Sequence, residues 1–298
     1  MYKLQGVFTA LITPFENNQI DEKSLISLIE MQISAGINGI VTCGTTGESP
    51  TLTDSEQKFI IELSVKTAKG RIPIIAGAGS NSTNKTIYLC QNAEKAGADM
   101  LMLIVPYYNK PTQEGLYQHF KYVANSVNLP IIIYNNPIRT AVDLYDTTLS
   151  KLVHECKNII GIKDASGDLT RPILLRNMIQ KEFIYLSGDD TTALSFNASG
   201  GNGCISVISN IVPELCIKLQ ILWNETKIKE AIELQSRLMT LCSAMFCESN
   251  PIPIKYAASL LSICKPDVRL PLVLPSIDNR KIIENSLMSL GIIKNSII

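Results

Sequence analysis

Short apolar runs alternate with longer amphipathic stretches along the first three quarters of the chain. Most runs are rich in β-branched residues and lack apolar–polar alternation, which is the pattern of parallel strands buried on both faces. Eight strands are predicted on this basis: Gly6–Thr13, Gly39–Cys43, Pro73–Gly77, Met100–Val105, Pro130–Tyr134, Ile159–Lys163, Phe183–Ser187 and Gly203–Ile208.

A helix is predicted in each interval between these strands and after the last one. Asp21 is a candidate N-cap of a helix that Gly36 would end. The run Thr53-Asp54-Ser55-Glu56 has the capping-box pattern and opens a helix that ends near Gly70. The remaining helices are predicted over Thr83–Ala96, Gln113–Val127, Thr147–Cys156, Pro172–Gln180, Thr191–Ser199 and Pro213–Asn224.

Eight strand–helix units of even spacing predict an α/β fold, a (β/α)8 TIM barrel over residues 1–226. A doubly wound sheet is the competing fold, but the one glycine-rich run, Gly200-Gly201-Asn202-Gly203, precedes a strand instead of following one. From residue 227 the pattern is helical only. Residues 227–298 are therefore predicted to form a small C-terminal helical appendage with helices at Lys227–Phe246, Ile254–Cys264 and Asp278–Leu290.

Composition narrows the class of protein. The chain has 298 residues, 46% of them apolar, and its 27 basic and 27 acidic residues balance, which argues against a nucleic-acid partner. No apolar stretch is long enough for a membrane span and the N-terminus lacks a signal-peptide core, so a cytoplasmic location is expected. The 8 cysteines form no C-x-x-C pair and the 2 histidines have no ligand spacing, which predicts buried free thiols and no metal site.

One predicted strand, Ile159–Lys163, ends in a lysine, an unusual place because burying an ammonium is costly. Strand alternation predicts that Lys163 shares a face with Gly161 and Ile159, the glycine leaving room beneath the amine. A desolvated lysine is in part a free amine near neutral pH, and a free amine attacks a carbonyl to form a Schiff base. The alternative is an amine that leaves the strand end and pairs with Asp164 or another carboxylate.

The other strand ends matter because active sites of such barrels lie at the C-terminal ends of the strands. Taken singly, each of these residues has an ordinary explanation as a tight loop, a packed rim residue or a surface ion pair. Together they supply an amine, hydroxyl and phenol proton carriers, and an anion-binding arginine. That combination suits carbonyl chemistry on an acidic substrate. The residues are Gly44-Thr45-Thr46-Gly47-Glu48, Tyr107-Tyr108, Tyr134, Arg139, Lys163, Gly188 and Ile205.

Three motifs, with their order and spacing, characterise the chain. They are Gly44-Thr45-Thr46-Gly47-Glu48, Tyr134-Asn135-x-Pro137-x-Arg139-Thr140 and Gly161-Ile162-Lys163-Asp164-Ala165-Ser166-Gly167. They closely resemble the dihydrodipicolinate synthase family, and the resemblance extends over essentially the whole chain. The wider superfamily, which includes N-acetylneuraminate lyase, shares the barrel and the Schiff-base lysine. The arginine motif and the double threonine favour the synthase. Asn136 is a visible departure, since the family usually has an apolar residue there.

The resemblance implies a lyase that condenses pyruvate with L-aspartate-4-semialdehyde in the diaminopimelate and lysine pathway. Pyruvate would form an imine with Lys163, and the derived enamine would attack the semialdehyde. Thr45, Tyr134 and Tyr108 resemble the proton-relay triad, with Tyr108 reaching in from a neighbouring subunit. No metal or diffusible cofactor is implied, and the family is typically a homotetramer built as a dimer of dimers.

The same resemblance implies residues that bind the substrates. Thr46 looks like the site of the pyruvate carboxylate, and Arg139 would bind the carboxylate of the semialdehyde with its planar fork. Gly188 and Ile205 would shape the pocket around bound pyruvate.

A possible allosteric site is also implied, because lysine-sensitive relatives bind L-lysine at a subunit interface. Ser49, Asn81 and Tyr107 match residues of that site, but Lys85 stands where an acidic residue would hold the ligand's ammonium. Gln57, nearby by resemblance, carries no compensating charge. Feedback inhibition is therefore predicted to be weak or absent.

Two other functions remain open at this point. A related pyruvate-dependent aldolase acting on a sugar acid, of the N-acetylneuraminate or keto-deoxygluconate type, would use the same lysine but gives no reason for Arg139. A catalytically silent barrel that binds a keto acid would be expected to have lost Lys163, Tyr134 or Thr45, and all are present.

Overall fold

Eight parallel strands close into a barrel in the computed structural model, which describes residues 4–294. Going round the barrel, the strands follow the order β1-β10-β9-β8-β7-β6-β5-β4, and β1 pairs with β4 to complete the ring. The strands are β1 (Gly6–Ala10), β2 (Phe15–Glu16), β3 (Gln19–Ile20), β4 (Gly39–Thr42), β5 (Ile74–Gly77), β6 (Met100–Ile104), β7 (Ile131–Asn135), β8 (Ile159–Asp164), β9 (Ile184–Ser187) and β10 (Gly203–Ser206).

Helices lie between successive barrel strands, as the alternating pattern predicts, so the predicted barrel is confirmed. They are α1 (Glu22–Ala35), α2 (Asp54–Ala68), α3 (Thr83–Lys95), α4 (Gln113–Ala124), α5 (Pro137–Thr140), α6 (Asp146–Glu155), α7 (Arg171–Ile179), α8 (Ala193–Ala198), α9 (Pro213–Asn224), α10 (Ile228–Ala244), α11 (Ile252–Leu260) and α12 (Ile277–Ser289). The predicted caps are present: Asp21 accepts from Ser24 N at 3.0 Å, and Thr53 and Glu56 form a reciprocal capping box.

Apolar side chains fill both sides of the strands. An interior cluster within the barrel includes Phe8, Met102, Ile132, Tyr134 and Ile205. A larger outer cluster lies between the strands and the helices. Strands buried on both faces need apolar residues at every position, which explains why they read as continuous apolar runs.

Strand β8 contains a bulge that the sequence pattern did not predict. Ile131 pairs with Ile159 and Ile132 pairs with Gly161, so Ile160 is an extra residue on β8. The expected alternation is therefore wrong at Ile159, which belongs to the outer cluster, whereas Ile160 packs against the interior cluster.

The last three helices follow the barrel and pack on it and on each other. Helix α10 lies against α9 and α12, and α11 lies against α12. A boundary at residue 226 stays a prediction, and the outer ends of the two predicted regions, residues 1–3 and 295–298, lie outside the described part. Within that part, no helix is both long and apolar enough to cross a membrane. The 8 cysteines are free thiols, all buried except the half-buried Cys247.

Candidate active site

Lys163 lies at the C-terminal end of β8, directly beside Tyr134 at the end of β7. The two residues are register partners, and the Lys163 Nζ lies 4.1 Å from the centre of the Tyr134 ring. Lys163 is only 6% exposed, and its amine forms no ion pair with a carboxylate among residues 4–294. The alternative of an amine paired at the strand end is therefore not what the structure shows.

Asp164, the carboxylate next in sequence, is turned toward other partners. It accepts from Ser166 N at 3.0 Å and lies 3.6 Å from Arg171 Nη1. Burial raises the pKa of the Asp164 carboxyl, and the charge of Arg171 opposes that rise. This network occupies the acid and keeps it away from the amine.

Glycine makes room for Lys163, but at a different position from the predicted one. A Cβ at Gly188 would lie 3.1 Å from Lys163 Cε and 2.8 Å from Ala165 Cβ. A Cβ at Gly161 would instead meet the backbone oxygen of Ile184 at 2.9 Å. Gly161 therefore permits close approach of β9, and Gly188 is the residue whose missing side chain leaves space at the amine.

The loop after β4 carries the two threonines in a tightly turned backbone. Glu48 has a φ of 56°, and Gly44 O accepts from Gly47 N at 3.1 Å. Thr45 lines a cavity at the strand ends, whereas Thr46 is buried and its Oγ1 accepts from Asn250 Nδ2 at 2.9 Å. The Thr46 hydroxyl keeps its own proton free to donate, as a carboxylate site requires.

A buried ion pair anchors the end of this loop to helix α11. Lys255 Nζ lies 2.6 Å from Glu48 Oε1, and both side chains are fully buried. The other carboxylate oxygen of Glu48 accepts from Arg269 N at 3.0 Å. Burial lowers the pKa of the Lys255 ammonium, and the adjacent Glu48 opposes that shift. The loop is thus held by residues more than 200 positions later in the chain.

Asn136 connects Tyr134 to the turn that carries Arg139. Its Nδ2 donates to the Tyr134 hydroxyl at 2.8 Å, and its Oδ1 accepts from Arg139 N at 3.2 Å as the N-cap of α5. The Arg139 guanidinium is exposed and donates to Asn250 O at 3.3 Å. The arginine side chain is therefore presented from a turn whose backbone is fixed by Asn136.

A cavity of about 340 Å³ opens at these strand ends, a size typical of small-molecule sites. Its walls include Thr45, Tyr134, Arg139, Ser49, Lys85 and Tyr107. Ile205 is buried in the interior cluster with Tyr134. Some residues of the proposed catalytic set and some of the proposed allosteric set thus line one cavity, whereas Lys163 is buried beside Tyr134.

The proposed allosteric end of the cavity contains an ion pair. Lys85 Nζ lies 2.5 Å from Asp54 Oδ2, so a neighbouring carboxylate, absent from the sequence argument, neutralises the lysine. Asn81, another residue of the proposed allosteric set, accepts from Asn109 Nδ2 at 2.9 Å through its backbone oxygen. An incoming ammonium would compete with Lys85 for Asp54.

Tyr108 is not brought together with Thr45 and Tyr134 in this chain. Its side chain is 88% exposed, and its backbone has a φ of 74°. The tyrosine projects from the surface next to Tyr107, which faces the cavity.

Sequence reasoning assigned no role to four residues that organise the site: Asn136, Glu48, Lys255 and Asn250. One signal was available for Lys255, because a lysine within the otherwise apolar run Ile252–Ala258 requires a buried partner. The partner itself could not be found, since the pair joins residues 207 positions apart.

Comparison with known proteins gives consistent results. Residues 3–289 match the model of the dihydrodipicolinate synthetase family. The chain is 49% identical over 289 residues to the 4-hydroxy-tetrahydrodipicolinate synthase of Parvibaculum lavamentivorans, covering 97% of this chain and 99% of that one. The crystal structure of dihydrodipicolinate synthase from Aquifex aeolicus is 42% identical with a TM-score of 0.96, covering 98% and 100%. A monomeric dihydrodipicolinate synthase variant is 38% identical with a TM-score of 0.95, covering 97% of each chain.

Proposed function

The chain belongs to the dihydrodipicolinate synthetase family, and we propose that Lys163 is the nucleophile of its reaction. The chain is a lyase of the aldolase type, acting in lysine and diaminopimelate biosynthesis. It condenses pyruvate with L-aspartate-4-semialdehyde to give 4-hydroxy-tetrahydrodipicolinate.

The proposed sequence of steps begins when the Lys163 amine attacks the carbonyl carbon of pyruvate, and water leaves as the imine forms. Loss of a proton from the pyruvate methyl group gives an enamine, whose carbon attacks the aldehyde and forms the new carbon–carbon bond. The amine of the second substrate then displaces Lys163 and closes the ring. Because the imine withdraws electrons, the chemistry needs no metal or other cofactor.

Other residues take binding and proton-transfer roles in this proposal. Tyr134 and Thr45 carry protons to and from the reacting atoms, and Thr46 binds the pyruvate carboxylate. Arg139 binds the carboxylate of the semialdehyde, which suits its exposed position at the cavity wall. The exposed Tyr108 completes the proton relay of a neighbouring subunit. Gly188 and Ile205 shape the pyruvate pocket.

We propose a homotetramer, a dimer of dimers, in the cytoplasm. The exposure of Tyr108 supports an assembly in which this side chain enters another subunit. In contrast, the dihydrodipicolinate synthase variant that is 38% identical to this chain is monomeric. Sedimentation of the purified chain tests the assembly: a monomer with full activity would remove the proposed role of Tyr108.

The observation that carries the proposal is the Lys163 amine, which is buried against the cavity-lining Tyr134 without an ion-pair partner among residues 4–294. Borohydride added with pyruvate should leave a reduced adduct on the peptide that contains Lys163. The peptide with Lys255 is a matched control, because this lysine is also buried but is paired with Glu48. An unchanged mass, or an adduct on the Lys255 peptide, would contradict the assignment.

A sugar-acid aldolase is the nearest alternative, and the named relatives at 49% identity favour the synthase over it. A coupled assay should show turnover with aspartate semialdehyde and none above background with N-acetylneuraminate or keto-deoxygluconate. A preference for either sugar acid would reverse this conclusion.

A further inference from the structure

We propose that Asn136 is a positioning residue that fixes the direction of the Tyr134 hydroxyl and ties it to the turn carrying Arg139. The inference rests on the proposed role of Tyr134 as a proton carrier. It assigns to Asn136 a contribution to turnover that is separate from capping α5.

The hydrogen bonds of Asn136 are compatible with only one orientation of its side-chain amide. Its Oδ1 accepts from Arg139 N at 3.2 Å, so the carbonyl end of the amide faces the α5 backbone. The atom facing the Tyr134 hydroxyl at 2.8 Å is therefore the NH2 group, which can only donate. Both side chains are buried, and the low local dielectric strengthens this bond.

The direction of this bond determines what the phenol can do. Because the Tyr134 oxygen accepts from Asn136, its own O–H points elsewhere and is available to a reacting group. When that proton leaves, the amide donor remains in place and stabilises the phenolate. The Tyr134 ring lies 4.1 Å from the Lys163 Nζ, which places the phenol beside the proposed imine.

The same side-chain amide also links the Tyr134 hydroxyl to the backbone of Arg139. Its carbonyl end holds the backbone of Arg139, and its nitrogen end holds Tyr134. The backbone carbonyl of Asn136 accepts from the buried Thr140 hydroxyl at 2.9 Å, which restricts the turn further. One side chain thus couples the proton carrier to the residue proposed to bind the second substrate.

Capping and positioning can be separated by substitution. Serine and aspartate are both good N-cap residues, so Asn136→Ser and Asn136→Asp retain an acceptor for α5. Neither replaces the donor to Tyr134, because aspartate has no donor and the serine hydroxyl is one bond shorter than the Asn136 amide nitrogen. In Asn136→Asp the phenol must donate its proton to the carboxylate, which removes that proton from the relay and adds a negative charge beside it.

The experiment measures kcat, KM for both substrates and the pH profile of kcat for these variants alone and in a Tyr134→Phe background. We expect Asn136→Asp to lower kcat tenfold or more and to move its pH optimum upward, and Asn136→Ser to lower kcat by a smaller factor. In the Tyr134→Phe background each should change kcat less than twofold, because no hydroxyl remains to position. Asp21→Ala, which removes an N-cap from α1, should leave the pH profile unchanged.

Equal losses of kcat with and without Tyr134→Phe would show that Asn136 acts through the fold alone. A wild-type rate in Asn136→Ser would show that the amide donor of Asn136 is not needed. Either result overturns the inference. A wild-type rate in Tyr134→Phe itself would instead overturn the proposed role of Tyr134, so the two failures are distinguishable.

Discussion

Replacing Lys255 with methionine tests how the substrate-binding loop is held. The substitution keeps an unbranched side chain that is one atom shorter and removes its charge. In the native protein the Lys255 ammonium lies 2.6 Å from Glu48 Oε1, with both side chains fully buried. In Lys255→Met the Glu48 carboxylate stays buried and keeps one backbone donor, Arg269 N, at 3.0 Å.

The expected loss of stability follows from the Glu48 carboxylate, which is left buried without its cation. Breaking a buried pair by removing one partner destabilises a protein by about 3–5 kcal/mol, whereas replacing both partners is often close to neutral. Lys255→Met and Glu48→Gln should therefore each lower the free energy of unfolding by about 3–5 kcal/mol. The double variant should cost less than either single one, because no uncompensated charge remains.

Equilibrium urea unfolding followed by circular dichroism measures these differences. Lys58→Met is the matched control, because Lys58 lies 3.6 Å from Glu62 in an exposed pair and should cost less than about 1 kcal/mol. The KM for pyruvate should also rise in Lys255→Met, since Glu48 ends the loop that carries Thr46. A cost as small as that of Lys58→Met, or a double variant equal to the sum of the single ones, would refute the reasoning.

Three further predictions concern Arg139, the ion pair at the cavity mouth and a buried histidine. Arg139→Ala should lower kcat/KM for the semialdehyde by roughly 10- to 100-fold, the value of losing hydrogen bonds to a charged group, while borohydride trapping of pyruvate stays intact; equal loss of trapping would contradict this. L-lysine should inhibit weakly, because its ammonium must displace Lys85 from Asp54, and Lys85→Glu should gain sensitivity; strong inhibition of the native chain would contradict the argument. Burial lowers the pKa of His119 to about 4, so the folded chain resists the proton that the unfolded chain takes up below about pH 6.5. The contribution of His119 to stability should thus fall by on the order of 3 kcal/mol between about pH 7 and pH 4. Urea unfolding should show the same pH dependence in wild type and in an exposed-site control, His154→Gln, and a loss smaller by about this amount in His119→Gln.

The barrel could be predicted from sequence because its strands are buried on both faces. Each strand then appears as an apolar run, and the eight predicted strands overlap the eight strands of the barrel. The hairpin of Phe15–Glu16 and Gln19–Ile20 was missed, since two-residue strands are too short for a pattern and the turn depends on Asn17 and Asn18 at positive φ. The bulge at Ile160 was missed because it is a property of pairing with β7.

The candidate site likewise contains residues that the sequence could indicate and contacts that it could not. Lys163, Tyr134 and Thr45 could be selected because strand ends meet at one face of a barrel, and the structure brings the first two together. The bonds from Asn250 to Thr46 and from Lys255 to Glu48 join residues more than 200 positions apart. The pattern of apolar and polar positions along one chain does not indicate contacts between such distant residues, so only the folded structure reveals them.

The anchoring of the loop after β4 by residues 250, 255 and 269 has a consequence for the order of synthesis. A ribosome that has completed β10 has already made every group proposed to react with substrate. The partners of Thr46 and Glu48 have not yet been made, so the loop still lacks these late contacts. The nascent chain therefore gains the full anchoring of this loop only when its last helices emerge, and a chain cut short after the barrel would carry Lys163 without that anchoring.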